Sequence, residues 1–436
     1  MSSITTFQAV VLGIFFFFIV IGVVIFAGVG GNDQPTLPPL TIWGVVDERT
    51  FNGLLATFNI ATQVNAPSVT YVQKSPASLG GELINAIASG KAPHLVLLPH
   101  DLLLSQRDKL LLIPEATLSA RTLKDTFAQE GELFLAQGGT YGIPFSVDPL
   151  VMYWNRDLLF GAGAGNPPST WDEMVALAPS LSVSDSGGTI RKSAAPLGGF
   201  SNYANAKGLL SALFFQVGTP IIASMPDGSV SVALDTQSPD GLASSDSALR
   251  FYTDFANPTK TTYSWNRSLP EARRAFVSNF LVFYFGFASE YQELKAENPN
   301  LNFDVARLPQ IKGASAPVTY GKLTGIVIPA GAENQTYAAG LVSLAGLLIS
   351  PDFEKAFGEA FSIPPARRDI LGDTPPDAAS AVFYSSGLIS RGWLDPNPQA
   401  SQAIFKSMVE SVTSGQDTVR QAILSGQKEL SGLFAQ

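Results

Sequence analysis

The chain has 436 residues, room at about 150 residues per domain for two or three lobes, and its 46% hydrophobic and 14% charged residues permit large buried cores and exclude a long disordered chain. Its net charge is -9, and no block of Lys or Arg could neutralise a phosphate backbone, which argues against a nucleic-acid partner. Cysteine is absent, so disulfides, thiolate catalysis, thiolate metal sites and lipid attachment through an N-terminal Cys are all excluded.

From Ala9 to Gly31 no residue is charged, and at about 1.5 Å per residue the run can span the ~30 Å core of a bilayer. Residues 1–31 are therefore expected as a single-pass N-terminal transmembrane helix. A cleaved signal peptide is the alternative, because Ala27-Gly-Val-Gly resembles a small-residue cleavage region. Lys and Arg do not flank the segment, so charge bias leaves its orientation open. Pro35, Pro38 and Pro39 make residues 32–40 a short, stiff linker.

Beyond the linker, Thr41-Ile-Trp-Gly-Val-Val reads as a strand and Phe51 to Phe58 as a helix. Glu82 to Ser89 reads as a second helix and Leu95-Val-Leu-Leu as a buried parallel strand, which together predict an α/β lobe. Ligands of such sheets bind beyond strand C-termini, so Asp47, Glu48, His100 and Asp101 are candidate ligand groups. Two strands, Tyr141-Gly-Ile-Pro-Phe-Ser-Val and Leu150-Val-Met-Tyr-Trp, flank Asp148 and read as a crossing between lobes. Thr170-Trp-Asp-Glu then offers a capping box for a helix running through Leu177. Glycine pairs at Gly187-Gly188 and Gly198-Gly199 and the polar run Thr236 to Ser247 mark loops. Ala206 to Val217 and Ala248 to Phe255 read as helices of a second, more helical lobe. The aromatic-rich run Phe280 to Phe287 reads as a central strand returning to the first lobe, after which Gly325-Ile-Val-Ile-Pro and the helix Ala338 to Leu348 lead back to the second. The expected division is thus 41–147 and 278–328 for lobe 1, and 148–277 and 329–436 for lobe 2.

Four stretches occur in a telling order. They are Ala86-Ile-Ala-Ser-Gly-Lys-Ala-Pro followed by His94; Gly142-Ile-Pro, Asp148, Met152-Tyr-Trp-Asn-Arg-Asp-Leu and Pro167-Pro-Ser-Thr-Trp-Asp-Glu-Met; Phe285-Gly-Phe; and Ile363-Pro-Pro-Ala-Arg-Arg. Together they resemble the extracellular solute-binding proteins of family 1, which include maltose-binding protein, with His94 replacing the family's usual Asp. The resemblance implies an α/β, two-lobe periplasmic-binding-protein fold with an interlobe hinge. It also implies a monomer without cofactors or catalysis, held at the extracytoplasmic side of the cell membrane and serving ABC permease subunits and an ATPase in trans. Ligand would shift the population toward a closed form in which both lobes contact it.

Carbohydrate sites combine flat aromatic faces with carboxylates, amides and Arg at fixed angles to hydroxyls. On position, Asp47, Glu48, His100, Asp101 and Asp148 are the expected hydroxyl partners, and Trp154, Tyr203, Phe287 and Tyr320 the stacking rings. Arg367 is the expected clamp, with Arg368 competing for that role. Tyr203, following two glycines, is expected on an exposed loop; for Phe287 core packing is the alternative. Trp171, inside the capping box, is read as a helix staple. The expected ligand is a neutral solute, a mono- or oligosaccharide. A receptor feeding a membrane sensor and a carbohydrate-active enzyme are the alternatives, the latter because two carboxylates suffice for glycoside hydrolysis. No Gly-x-Ser-x-Gly, phosphate-loop, Gly-x-Gly-x-x-Gly or His-Glu-x-x-His motif occurs, and two His residues leave little for metal chemistry.

Overall fold

Leu40–Gly44, Val69–Gln73 and Leu95–Pro99 form parallel strands β1, β2 and β3, with β1 between the other two. The computed structural model describes residues 37–224, 230–235, 245–314, 316–373, 375 and 377–434. The apolar segment from Ala9 to Gly31 lies outside them, and among the described residues no single helix is long and apolar enough to cross a membrane. Helix α1 (Glu48–Thr57) follows β1 and α2 (Leu79–Ala88) follows β2. Phe51 of α1 is fully buried and stacks on Tyr71 of β2 at 4.2 Å, so the apolar stripe of the helix closes one face of the sheet.

The hinge is built from two long strands. Strand β4 (Ile143–Asn155) is a single element of 13 residues, all buried, where the sequence suggested two strands with a break at Asp148. Downstream come β5 (Phe283–Phe287), β6 (Phe303–Ala306), β7 (Thr319–Val327) and β8 (Ser390–Arg391). The sheet order is β5-β4-β7-β3-β1-β2, with β6 also on β4 and β8 on β7. From Ile143 to Pro149, β4 pairs with β7; from Leu150 to Trp154 it pairs with β5. Pro149 stands where the partners change, the place in a central strand at which a missing N–H is best tolerated. β4 therefore belongs to lobe 1 at its start and to lobe 2 at its end.

This register corrects the expected division. Phe280 to Phe287 does not return to lobe 1, because β5 pairs with Leu150 to Trp154 on the lobe 2 side. An apolar strand of that composition fits either sheet edge, and only the long-range partner decides.

Lobe 2 is built on helices α3 (Trp171–Leu181), α4 (Ala206–Gln216) and α5 (Ser245–Asp254). The Thr170 hydroxyl and the Glu173 carboxylate complete the capping box of α3, which runs four residues past Leu177 and holds Pro179. Trp171 is buried and donates its ring N–H to Gln216 at 2.6 Å, tying α3 to α4 as a staple. Gly198 has a φ of 83°, and Gly199 lies so near Trp265 that a Cβ would stand 2.4 Å from its ring. Trp265 is fully buried and cannot move aside. Gly199→Ala is expected to destabilise the chain by about 1–3 kcal/mol through overpacking, read as a lowered midpoint of thermal unfolding.

Helices α6 (Ala332–Leu348) and α7 (Pro351–Phe361) were expected in lobe 2, yet they cover lobe 1. Asn334 donates to the carbonyls of Pro93 and Pro329, and Phe353 and Phe357 pack on Phe51. Leu37, in the expected linker, is buried against Gly340 of α6, so the spacer ends before that residue. Helix α8 (Ala378–Gly387) rests on β4 and β6, and α9 (Pro398–Thr413) and α10 (Val419–Leu433) return to α4 and α5.

Candidate ligand-binding cleft

Asp148 of β4 and Lys322 of β7 are cross-strand partners and face the same side of the hinge. The Asp148 carboxylate accepts the Ser289 N–H at 3.0 Å and the Ser289 hydroxyl at 2.6 Å. Burial pushes its pKa from 3.8 up to about 6, against the opposing pull of Lys322 and the Ser289 bonds. Lys322 holds its ammonium 3.6 Å from the centre of the Phe287 ring, a cation–π contact. Phe287 meets Tyr320 edge-on at 6.1 Å, and Tyr320 lies 6.2 Å from the His100 ring. Gly208, in the first turn of α4, lets lobe 2 approach both rings: a Cβ there would stand 3.1 Å from Phe287 and 3.3 Å from Tyr320.

One residue earlier, Lys207 forms an ion pair with the buried Asp395 and donates to Ser401 at 2.7 Å, its ammonium 5.0 Å over Trp393. Trp393 donates its ring N–H to Ser211 at 3.2 Å. His100 is fully buried beyond the end of β3, its Nδ1 accepting the Leu323 N–H at 3.0 Å. The charges of Asp101, Asp395 and Lys207 all bear on it, while burial holds its pKa below the usual imidazole value. Asp101, His100, Asp148, Tyr320 and Lys322 thus come from the lobe 1 side, and Lys207, Phe287, Ser289, Trp393 and Asp395 from lobe 2.

Five of the ten expected site residues, His100, Asp101, Asp148, Phe287 and Tyr320, are brought to this one place. The others are held elsewhere. Asp47 caps α1 by accepting the Thr50 N–H and hydroxyl, the latter bond holding its carboxyl below the usual range. Glu48 accepts the Gln73 N–H at 2.9 Å, and both carboxylates are exposed. Trp154 lies six residues along β4 from Asp148, roughly 20 Å at ~3.3 Å per residue, packed edge-on against Phe160. Tyr203 is not on an exposed loop: it is buried in lobe 2 and donates to the Phe285 carbonyl at 2.6 Å. Arg367 is buried with its guanidinium on Asp369 and the Ile349 carbonyl, while Arg368 donates to the Phe127 carbonyl. Neither arginine faces the cleft.

Sequence reasoning missed Lys207, Ser289, Lys322, Trp393 and Asp395. Lys322 was findable, because it stands two residues from Tyr320 on a strand and so shares its face. The others follow turns whose direction no local pattern fixes.

Two lobes joined by shared strands, with aromatic rings, an ion pair and a buried carboxylate gathered at the junction, define a hinged two-lobe binding protein. Residues 53–382 match the bacterial extracellular solute-binding protein family, well over half of the chain, and the chain belongs to that family. A cyclo/maltodextrin-binding protein complexed with maltotetraose superposes with a TM-score of 0.74 at 17% identity, over 92% of this chain and 98% of that one. A cyclic alpha-maltosyl-1,6-maltose binding protein from Arthrobacter globiformis gives a TM-score of 0.73 at 16% identity, over 91% of this chain and 98% of that one. A solute-binding protein from Thermotoga lettingae bound with alpha-D-tagatose gives 0.64 at 21%, over 91% and 99%. At such identities the likeness is one of fold. A Brucella abortus relative named "Putative binding protein" is 49% identical over 39 residues, 9% of this chain and 10% of that protein, so the match spans about a tenth of the relative's length.

Proposed function

We propose that this chain captures a neutral carbohydrate, a mono- or oligosaccharide, between its lobes and delivers it to an ATP-driven importer acting in trans. The observation that carries this reading is the convergence, from both lobes, of aromatic rings with carboxylates and ammonium groups: Phe287, Tyr320 and Trp393 beside Asp148, Lys322, Lys207 and Asp395. Flat rings cover the C–H faces of a sugar, and charged groups bond its hydroxyls more strongly than neutral ones do. The superposed proteins complexed with maltotetraose and with alpha-D-tagatose support a sugar as the solute class. His100, Asp101, Asp148, Phe287 and Tyr320 are retained as ligand groups, and Lys207, Lys322, Ser289, Trp393 and Asp395 are added. The apolar run from Ala9 to Gly31 serves as the tether that keeps the binding lobes at the outer face of the cell membrane.

Thermal unfolding of the chain against maltodextrins, monosaccharides, polyols, amino acids and polyamines tests this. A ligand at 100 times its Kd adds about 2.7 kcal/mol to the native state, so one sugar class is expected to raise the midpoint by several degrees. A shift with amino acids or polyamines and with no sugar would reject the carbohydrate reading.

A further inference from the structure

Strand β5 ends at Phe287, and the 3-10 turn Ala288–Glu290 follows it at the cleft. Backbone groups kept from water at a strand end must find partners among side chains. Phe287 finds two. Its N–H donates to the Glu290 carboxylate at 2.8 Å, and its carbonyl accepts the hydroxyl of the buried Tyr153 of β4 at 2.7 Å. Ser289, next to Glu290 in the same turn, donates both its N–H and its hydroxyl to Asp148.

The Glu290 carboxylate is itself fixed from lobe 2. The oxygen that accepts the Phe287 N–H also accepts the Asn205 side-chain amide at 2.7 Å, and the other oxygen accepts the Tyr284 hydroxyl at 2.5 Å. Asn205 and Tyr284 are both buried, and Asn205 stands directly before α4, at the end that carries Lys207 and Gly208. Gly286 leaves the space for this arrangement. A Cβ there would stand 3.0 Å from the Glu290 oxygen that Phe287 uses and 2.7 Å from the Tyr284 ring. No left-handed φ is involved at this glycine, so the middle residue of Phe285-Gly-Phe answers a demand of space made by a carboxylate.

We propose that Glu290 is the positioning residue of the cleft: its carboxylate locks the turn so that the Phe287 ring meets Lys322 and Ser289 reaches Asp148. It acts through those two residues. Resting on the receptor reading above, this makes Glu290 a determinant of how tightly solute is held. Hydrogen bonds to a carboxylate are stronger than those between neutral groups, and three donors converge on this one. Without it Phe287 keeps only the Tyr153 bond, and a loosened ring and hydroxyl must be ordered anew by each arriving ligand.

The test needs no ligand, so its failure is separable from failure of the carbohydrate reading. Backbone hydrogen exchange of the full chain is followed by mass spectrometry in residues 286–291 and, as a reference, in β2 of lobe 1. Glu290→Ala is expected to speed exchange in the turn by about tenfold or more and to leave β2 unchanged. Glu290→Gln, which keeps an acceptor oxygen for the Phe287 N–H, stays within about threefold of the parent. Glu290→Asp, one methylene too short for that bond, follows the alanine variant and decides the matter if the alanine chain does not fold. The ring is read separately, from the Cε–H resonances of carbon-13-labelled lysine, with Lys322 assigned through Lys322→Arg. Phe287 is expected to shift the Lys322 signal upfield in the parent and in Glu290→Gln, and the shift to collapse in Glu290→Ala and Glu290→Asp. Exchange in the turn that ignores both of those variants overturns the proposal, as does a Lys322 signal that stays where it was. An equal rise in β2, or a glutamine variant as fast as the alanine one, overturns it too, since either marks Glu290 as a general support of the fold.

Discussion

Asp148→Asn is expected to gain on the parent chain by about 3 kcal/mol of unfolding free energy as pH rises from about 3.5 to about 7. The sign follows from the carboxyl's raised value, 3.8 in the free group and about 6 in the fold. Between those values the folded chain holds a proton that the unfolded chain has released, so stability falls as pH rises through the window and levels off above it. Asparagine carries no proton to lose, so the variant escapes the decline. Asp148 is only 9% exposed, which leaves little solvent to screen the effect. Urea unfolding of both chains at several pH values gives the difference directly, and parallel curves would sink the argument. A buried carboxylate retained at such a cost fits a group kept for ligand rather than for the fold. The same variant is accordingly expected to bind its solute about tenfold or more weakly, since hydrogen bonds to charged groups contribute roughly 1.5–3 kcal/mol.

Lys207→Met is the second large effect. Asp395 is 1% exposed, and besides the Lys207 ammonium it accepts the Ser401 hydroxyl at 2.6 Å and the Asn397 N–H at 2.9 Å. Removing the lysine leaves a buried charge with two neutral donors, and breaking such a pair from one side costs about 3–5 kcal/mol. The double variant Lys207→Met with Asp395→Asn is expected to recover most of that loss, because no unpaired charge remains. If the double variant is as unstable as the single, the lysine acts through packing on Trp393 instead. Calorimetric unfolding of the four chains of this cycle separates the two.

Much of the fold was legible where a pattern is local. The run Leu95 to Leu98 reads as a buried strand because four consecutive apolar residues need cover on both faces, and Thr170 with Glu173 announces a helix start within four residues. The assignment of Phe280 to Phe287 failed because the deciding partner, Leu150 to Trp154, lies more than a hundred residues away. Tyr203 misled in a different way. Two glycines before it suggested a loop, whereas Gly199 is there to pass beneath Trp265, and the chain runs inward.

The cleft was half legible for a similar reason. His100, Asp101 and Asp148 lie at strand ends or crossings, which is a readable position. Lys207, Trp393 and Asp395 meet them only because β8 pairs with β7 and α4 is drawn close by a glycine. Arg367 shows the limit of position. It lies in a recognisable stretch, but Asp369, two residues on, takes its guanidinium.

The shared strand β4 also orders events in time. Lobe 1 lacks its fourth strand and its covering helices until Thr319–Val327, Ala332–Leu348 and Pro351–Phe361 have joined it. A growing chain therefore carries an incomplete first lobe, with the edge of β3 unpaired, through the whole synthesis of β5, β6 and helices α3 to α5. Closing contacts of such long sequence separation slows folding and leaves an edge open to aggregation. The second lobe must wait as well, for α9 and α10 from the chain's last forty residues. The first lobe can therefore close once Pro351–Phe361 has joined it, and the second closes later, once Val419–Leu433 has been made.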